Sequence, residues 1–194
     1  SEMCIRDRYS IAKIDNDLLL SVKKHKFGVC SPLLSTLELH APIALHIKKN
    51  TEFHFPKDEK PVIFIANGTG IAPFLGMLHE NKNENPVHFF LGLRTKKSLK
   101  LYEEILSEVS KKNKLTSLHV AYSREEKNQY VQYLVQENES LISKTLQVGG
   151  SIYICGSLAM QNAVLDVLNT ISKAHLNKPL SEFEGTEQLK MDCY

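Results

Sequence analysis

Val62-Ile63-Phe64-Ile65-Ala66-Asn67-Gly68-Thr69-Gly70-Ile71-Ala72-Pro73 is the stretch that decides the fold. Its first five residues are apolar without interruption, as in a strand buried on both faces. Its second half is a Gly-x-Gly turn that opens a helix. A strand running through such a turn gathers backbone amides and the positive end of the helix dipole at one point, where a pyrophosphate can be held. A Gly-x-Gly turn alone is equally satisfied by a plain tight strand-to-helix connection, so the surrounding chain has to decide.

Downstream the pattern alternates. Strands over 62–66, 87–91, 115–121 and 151–155 are separated by helices near 71–80 and 98–110 and by helical segments within 129–146, with a last helix over about 157–175. Such alternation implies right-handed crossovers and a parallel sheet covered on both faces. The expected fold class is therefore α/β with a Rossmann-like sheet. In the last helix Leu158, Leu165, Leu168 and Ile171 fall on one side and read as core packing. No internal repeat or low-complexity tract is present.

Upstream, residues 18–23 and 43–47 read as short strands on either side of a helical stretch around 32–38. They look like the leftover of another domain. Pro56 and the charged run Lys57-Asp58-Glu59-Lys60 make a linker, because such residues cannot join a core strand. Residues 1–8 resemble translated sequencing-adapter sequence and are set aside as an artefact. The expected organisation is thus 1–8 foreign, 9–60 a domain remnant, and 61–194 one α/β domain.

The bulk numbers agree. A chain of 194 residues has room for one well-buried domain of about 100–150 residues and a remnant. Hydrophobic residues at 42% and charged residues at 24% are ordinary for a globular chain, so a fibrous or disordered architecture is not indicated. The net charge of +2, with no Lys/Arg block, gives nucleic acid no electrostatic footprint. Cys4, Cys30, Cys155 and Cys193 show no Cys-x-x-Cys spacing, so zinc, iron-sulfur and thioredoxin-like chemistry lack their ligands. Four scattered cysteines suit a reducing cytosol, and a cytoplasmic location is expected. No apolar run approaches the roughly 20 residues that span a bilayer. His25, His46, His54 and His79 lack helical spacing alongside a third ligand and read as satisfied or surface histidines.

The form Gly68-Thr69-Gly70-Ile71-Ala72-Pro73 resembles the NADP(H) motif of the ferredoxin-NADP reductase family, with Ala-Pro where the dinucleotide fingerprint has its third Gly. Downstream, Gly92-Leu93-Arg94, Tyr122-Ser123-Arg124 and Tyr153-Ile154-Cys155-Gly156 each end a strand, in the family's order. The resemblance covers residues 9–194 and is nearest to the diflavin reductases. It implies an FAD-dependent enzyme that moves a hydride between NADPH and flavin N5. It also implies onward electron transfer to a flavodoxin-like FMN domain, in a further part of the parent chain, or to another acceptor.

Residue by residue, the resemblance places Ser123 and Arg124 at the 2'-phosphate, where the Arg fork suits a dianion. Tyr130-Val131-Gln132 resembles the adenine-stacking segment. The basic residue expected two positions before that Tyr is Asn128 here, with Lys127 one position earlier. Cys155 would lie near nicotinamide C4, where its role is to position the ring. Gly156 would admit the cofactor to the backbone, and Met160 would pack beneath. Asp192-Cys193-Tyr194 resembles the family's acidic-x-aromatic ending, in which the aromatic stacks on the flavin and the acid orients the donor and exchanges protons.

On the flavin side, Gly28-Val29-Cys30-Ser31 resembles the FAD-pyrophosphate loop, although an ordinary helix cap at Ser31 with Pro32 at N1 explains it nearly as well. Tyr9-Ser10 resembles the end of an Arg-x-Tyr-Ser motif, with Tyr against the isoalloxazine and Ser near N5. Asp7 occupies the Arg position, flanked out of register by Arg6 and Arg8. Two other readings stay open: an NADP(H)-binding module without catalysis, and, ranked below it, a reductase subunit serving an iron-sulfur partner.

Overall fold

The computed structural model describes residues 9–26, 29–48, 50–83 and 85–194. At its centre lies β3 (Val62–Asn67), whose residues Val62 to Ala66 are fully buried, as an unbroken apolar run requires. A 3-10 turn (Gly68–Ile71) leads into α2 (Ala72–Glu80). Then follow β4 (Val87–Leu93), α3 (Lys96–Leu99), α4 (Glu103–Lys111), β5 (Ser117–Tyr122), α5 (Val131–Glu137) and α6 (Glu139–Gln147). The chain closes with β6 (Ser151–Gly156), α7 (Leu158–Leu176), α8 (Ser181–Gly185) and β7 (Leu189–Cys193). Where one helix was expected within 98–110 there are two short ones. The 129–146 region breaks at Asn138, whose side chain donates to Leu134 O at 2.8 Å.

All five strands are parallel, in the order β5-β4-β3-β6-β7. The chain winds outward from β3 through β4 to β5, then returns to the other side of β3 for β6 and β7. The order therefore reverses between β3 and β6, and a crevice opens beyond their carboxyl ends, where open α/β sheets bind ligands.

Alternation along β3 feeds two cores. Phe64 faces one side, stacked on Phe74 of α2 at 4.5 Å and edge-on to Phe89 and Tyr153. Ile63 and Ile65 face the other, with Phe90, Ile152, Ile154 and the buried stripe Val164, Leu168 and Ile171 of α7. Leu165 packs at that core's margin, but Leu158 is 55% exposed, which corrects its assignment to the core. It shares the azimuth of Leu165 but lies in the first turn of α7.

Ahead of β3, the strands β1 (Ile11–Ile14) and β2 (Asp17–Leu20) form a hairpin around Asp15-Asn16, with Asp15 at φ 52°. Ala12 sits against α2, and Gly76 makes the approach possible: a Cβ there would lie 3.2 Å from Ala12 Cα. Helix α1 spans Cys30–Thr36. Two upstream expectations are corrected. The strand at 18–23 ends at Leu20, and residues 43–47 form no strand; Ile43, Leu45 and Ile47 are exposed, with no neighbouring strand to pair with among the described residues.

Candidate functional site

The crevice between β3 and β6 is built around two glycines. A Cβ on Gly70 would stand 2.2 Å from Cys155 O and 2.8 Å from Gly156 Cα, so the turn after β3 touches the backbone of β6 directly. Gly156 holds φ at 147°, and a Cβ there would fall 2.1 Å from Asn67 Oδ1. Gly68, at φ 55°, has open space around it. Ile71 and Ala72 are buried under the turn, and Pro73 lies in the first turn of α2. The two lips are therefore packed directly on each other at Gly70 and Gly156, while the turn is open at Gly68.

Asn67 and Ser157 join the lips. Asn67 Oδ1 accepts the Ser157 N–H at 2.9 Å and its Nδ2 donates to Ser157 Oγ at 3.0 Å. Ser157 Oγ also accepts the Met160 N–H at 3.3 Å as the N-cap of α7. Met160 is buried below, and its Cε would be 3.0 Å from a Gly156 Cβ.

Strand register brings the last strand to the site, because Cys155 lies opposite Asp192 and Gly156 opposite Cys193. The Cys155 thiol, fully buried, donates to Ser10 Oγ at 4.0 Å, and Ser10 donates onward to Asp192 Oδ2 at 3.1 Å. Burial, reinforced by the Asp192 charge, pushes the Cys155 thiol up to about 12, while its bond to Ser10 works the other way. Burial likewise raises Cys193 to about 11. Both are neutral thiols at physiological pH and unfit as nucleophiles. Tyr194 donates its N–H to Gly156 O at 3.0 Å, and its hydroxyl meets Thr69 Oγ1 at 3.1 Å, so the ring reaches back over the glycine turn. Burial pushes this phenol's pKa up, with the Thr69 bond opposing.

The sequence-predicted residues beyond β4 and β5 form a second group. The N–H groups of Ser123 and Arg124 donate to Leu93 O and Arg94 O, each at 2.9 Å, so Arg94 and Arg124 stand on adjacent strand ends, both exposed. Lys127 is exposed in the same turn, and Asn128 takes φ 40°. Tyr130 precedes α5 and lies edge-on to Tyr133 at 6.2 Å, with Gln132 in the next turn. Gly92 lets α5 approach, since a Cβ there would be 3.3 Å from Val131 Cβ.

The flavin-side residues are less gathered. Tyr9 neighbours Ser10, but Gly28 lies outside the described residues, as do Arg6, Asp7 and Arg8. Val29 is 83% exposed, and Cys30 and Ser31 sit inside the first turn of α1. Ser31 is therefore not the helix cap; its hydroxyl accepts the His25 N–H at 3.1 Å.

Asn67 and Ser157 are the site residues that sequence reasoning passed over. A Ser just after a strand-ending Gly and before a helix is an N-cap signal that points to the second of them. Among the described residues no cluster of metal-binding side chains occurs, and no helix is long and apolar enough to cross a membrane. His79 pairs with Asp15 at 2.9 Å, and His54 Nε2 with Thr51 O at 2.8 Å.

A doubly wound parallel sheet with a glycine cradle at its switch point defines a dinucleotide-binding protein. Residues 64–166 match the family model described as the oxidoreductase NAD-binding domain, and the chain belongs to that family, within the ferredoxin-NADP reductase superfamily. It is 31% identical over 214 residues to the sulfite reductase [NADPH] flavoprotein alpha-component of Buchnera aphidicola, covering 96% of this chain and 35% of that protein. It is 33% identical over 139 residues to human NADPH--cytochrome P450 reductase, covering 67% and 20% respectively. It is 31% identical over 173 residues to the nitric oxide synthase of Bombyx mori, covering 81% and 14%. The chain thus spans about a third or less of these relatives.

Proposed function

We propose that this chain is the nucleotide-handling module of a cytoplasmic NADPH-dependent flavoprotein reductase. It binds NADP(H) across the switch point and presents the nicotinamide beside Cys155 to a flavin on the Tyr9-Ser10 side. The observation that supports the reading best is the convergence of Ser10, Cys155 and Asp192 on one hydrogen-bonded line beside the Gly68–Ile71 turn.

The residues fit the dinucleotide. Gly70 and Gly156 let the turn and β6 close on each other, and the open space at Gly68 leaves the turn's amides accessible to a diphosphate. Arg94, Ser123, Arg124 and Lys127 hold the 2'-phosphate, while Tyr130 and Gln132 flank the adenine. The neutral Cys155 thiol packs against the nicotinamide without attacking it, and Met160 supports the floor. Ser10 and Asp192 hold a proton next to the reacting ring. Tyr194 covers the ring site and yields to the nicotinamide.

FAD, when bound, supplies the centre that takes a hydride from NADPH and releases electrons singly. Ser10 fits a place at its reactive edge. The Val29-Cys30-Ser31 segment offers less, because Ser31 is buried. Residues 9–60 are read as the end of an FAD-binding domain and 61–194 as the NADP(H)-binding domain. The electrons pass to a flavodoxin-like FMN domain or another one-electron acceptor.

Titration of the purified chain with NADPH and NADH, with and without FAD, followed by visible absorbance, tests this. Retained FAD bleached faster by NADPH than by NADH sustains the reading; failure to bind NADPH ends it. NADPH binding without flavin retention favours the second reading, a nucleotide module without catalysis. The exposure of Val29, Leu33, Leu39, Ile43, Leu45 and Ile47 along the flavin side supports that alternative.

A further inference from the structure

The Asn67 side chain spends both of its polar atoms on one residue 90 positions away. The amide's orientation follows from chemistry: a backbone N–H can only donate, so the atom facing Ser157 N is Oδ1, and Nδ2 must face Ser157 Oγ. With the Met160 N–H as well, both acceptor positions of that hydroxyl are filled. Asn67 is the last residue of β3 before the glycine turn, and Ser157 directly follows Cys155-Gly156. The pair therefore bridges the two lips at their roots, in space left by the missing side chain of Gly156.

We propose that Asn67 and Ser157 form a clasp that sets the separation of the crevice lips, making Asn67 a positioning residue for the nicotinamide half of the dinucleotide and not for its adenosine half. The inference rests on the NADP(H)-binding reading above. The adenosine-side groups hang from the turn after β5, which is tied to β4 through Leu93 O and Arg94 O and, among the described residues, makes no hydrogen bond to Asn67 or Ser157. Releasing the clasp frees Cys155-Gly156 to shift against the Gly68–Ile71 turn. The β4–β5 side keeps its anchors.

The test is calorimetric titration of the full chain with NADPH and, separately, with 2',5'-ADP as a probe of the adenosine half. Asn67→Ala weakens NADPH binding about tenfold, as for ~1.4 kcal/mol of lost preorganisation. Binding of 2',5'-ADP changes by less than about twofold. Ser157→Ala removes one of the clasp's two bonds together with the N-cap bond from Met160 N–H, and gives the same selective loss, about threefold. It carries the test if Asn67→Ala proves unstable. Ser157→Thr, which keeps the hydroxyl, restores NADPH binding. Equal losses for both ligands would mark the pair as a purely structural tie and overturn the proposal. So would unchanged NADPH binding in the two alanine variants while the parent chain binds NADPH normally. A parent chain that binds no NADPH overturns the underlying reading, and this inference with it.

Discussion

Replacing Gly70 with alanine puts a methyl carbon 2.2 Å from Cys155 O and 2.6 Å from Cys155 C. Ordinary carbon contacts lie at about 3.5–4.0 Å, so the glycine turn and β6 must separate by more than about an ångström. Both partners are backbone, and no side chain can rotate away. Overpacking of this kind costs about 1–3 kcal/mol, and the absence of a yielding neighbour puts Gly70→Ala at the upper end. At about 2–4 °C per kcal/mol for a chain of this size, a loss of ~3 kcal/mol lowers the melting temperature by roughly 6–12 °C. Two controls separate sterics from backbone strain. Gly68→Ala meets no atom within 4 Å but sits at φ 55°, so it costs about 1–2 kcal/mol. Gly185→Ala, in open space within α8 and free of positive φ, is neutral or slightly stabilising. Differential scanning calorimetry ranks the three, and NADPH titration shows the deepest loss for Gly70→Ala. If Gly70→Ala melts no lower than Gly68→Ala, the contact between the turn and β6 is not the constraint argued here.

If Arg124 holds the 2'-phosphate as proposed, Arg124→Ala removes a charge-assisted fork worth about 1.5–3 kcal/mol, so NADPH binding weakens by about 10- to 100-fold while NADH binding is unchanged, as read by calorimetry. Ser10→Ala breaks the line to Cys155, and Asp192→Asn removes its charge while keeping an acceptor; single-turnover flavin reduction slows in both, whereas 2',5'-ADP binding holds. Cys155 and Cys193, raised to about 12 and 11 from 9.0, keep protons that the unfolded chain releases. Their contribution is full below about pH 9 and declines as pH rises toward 11–12, and Cys155→Ala flattens that decline in denaturation midpoints measured across the alkaline range. Peptide mapping after alkylation near neutral pH finds the buried Cys155 protected, and its labelling in NADPH-free protein would count against the burial argument.

The strand, turn and helix over residues 62–80 were legible because burial on both faces leaves an unambiguous apolar run. The strand ends at Arg94, Arg124 and Gly156 were legible through their resemblance to a family. The strand β7 was not, because Leu189-Lys190-Met191-Asp192-Cys193 is a mixed edge segment whose extended form depends on pairing with β6. The hairpin at 11–20 carried a signal, the two-residue Asp15-Asn16 turn, that apolar counting alone passes over. The opposite error arose at 43–47, where alternation mimics a strand. Asn67 was hidden for another reason: a polar residue at a strand end says nothing of a partner 90 positions away.

The Ser10–Asp192 hydrogen bond closes a span of 182 residues. In an unstructured chain, closure entropy would rise by about 0.6 kcal/mol over a span half as long. Docking of β1 on α2 and pairing of β7 with β6 shorten that path before the two side chains meet. Refolding therefore requires no separate diffusive search to bring Ser10 and Asp192 together. Recovery of dinucleotide affinity after a denaturant jump should keep pace with the last phase of sheet formation, and the centre inherits its timing from the scaffold.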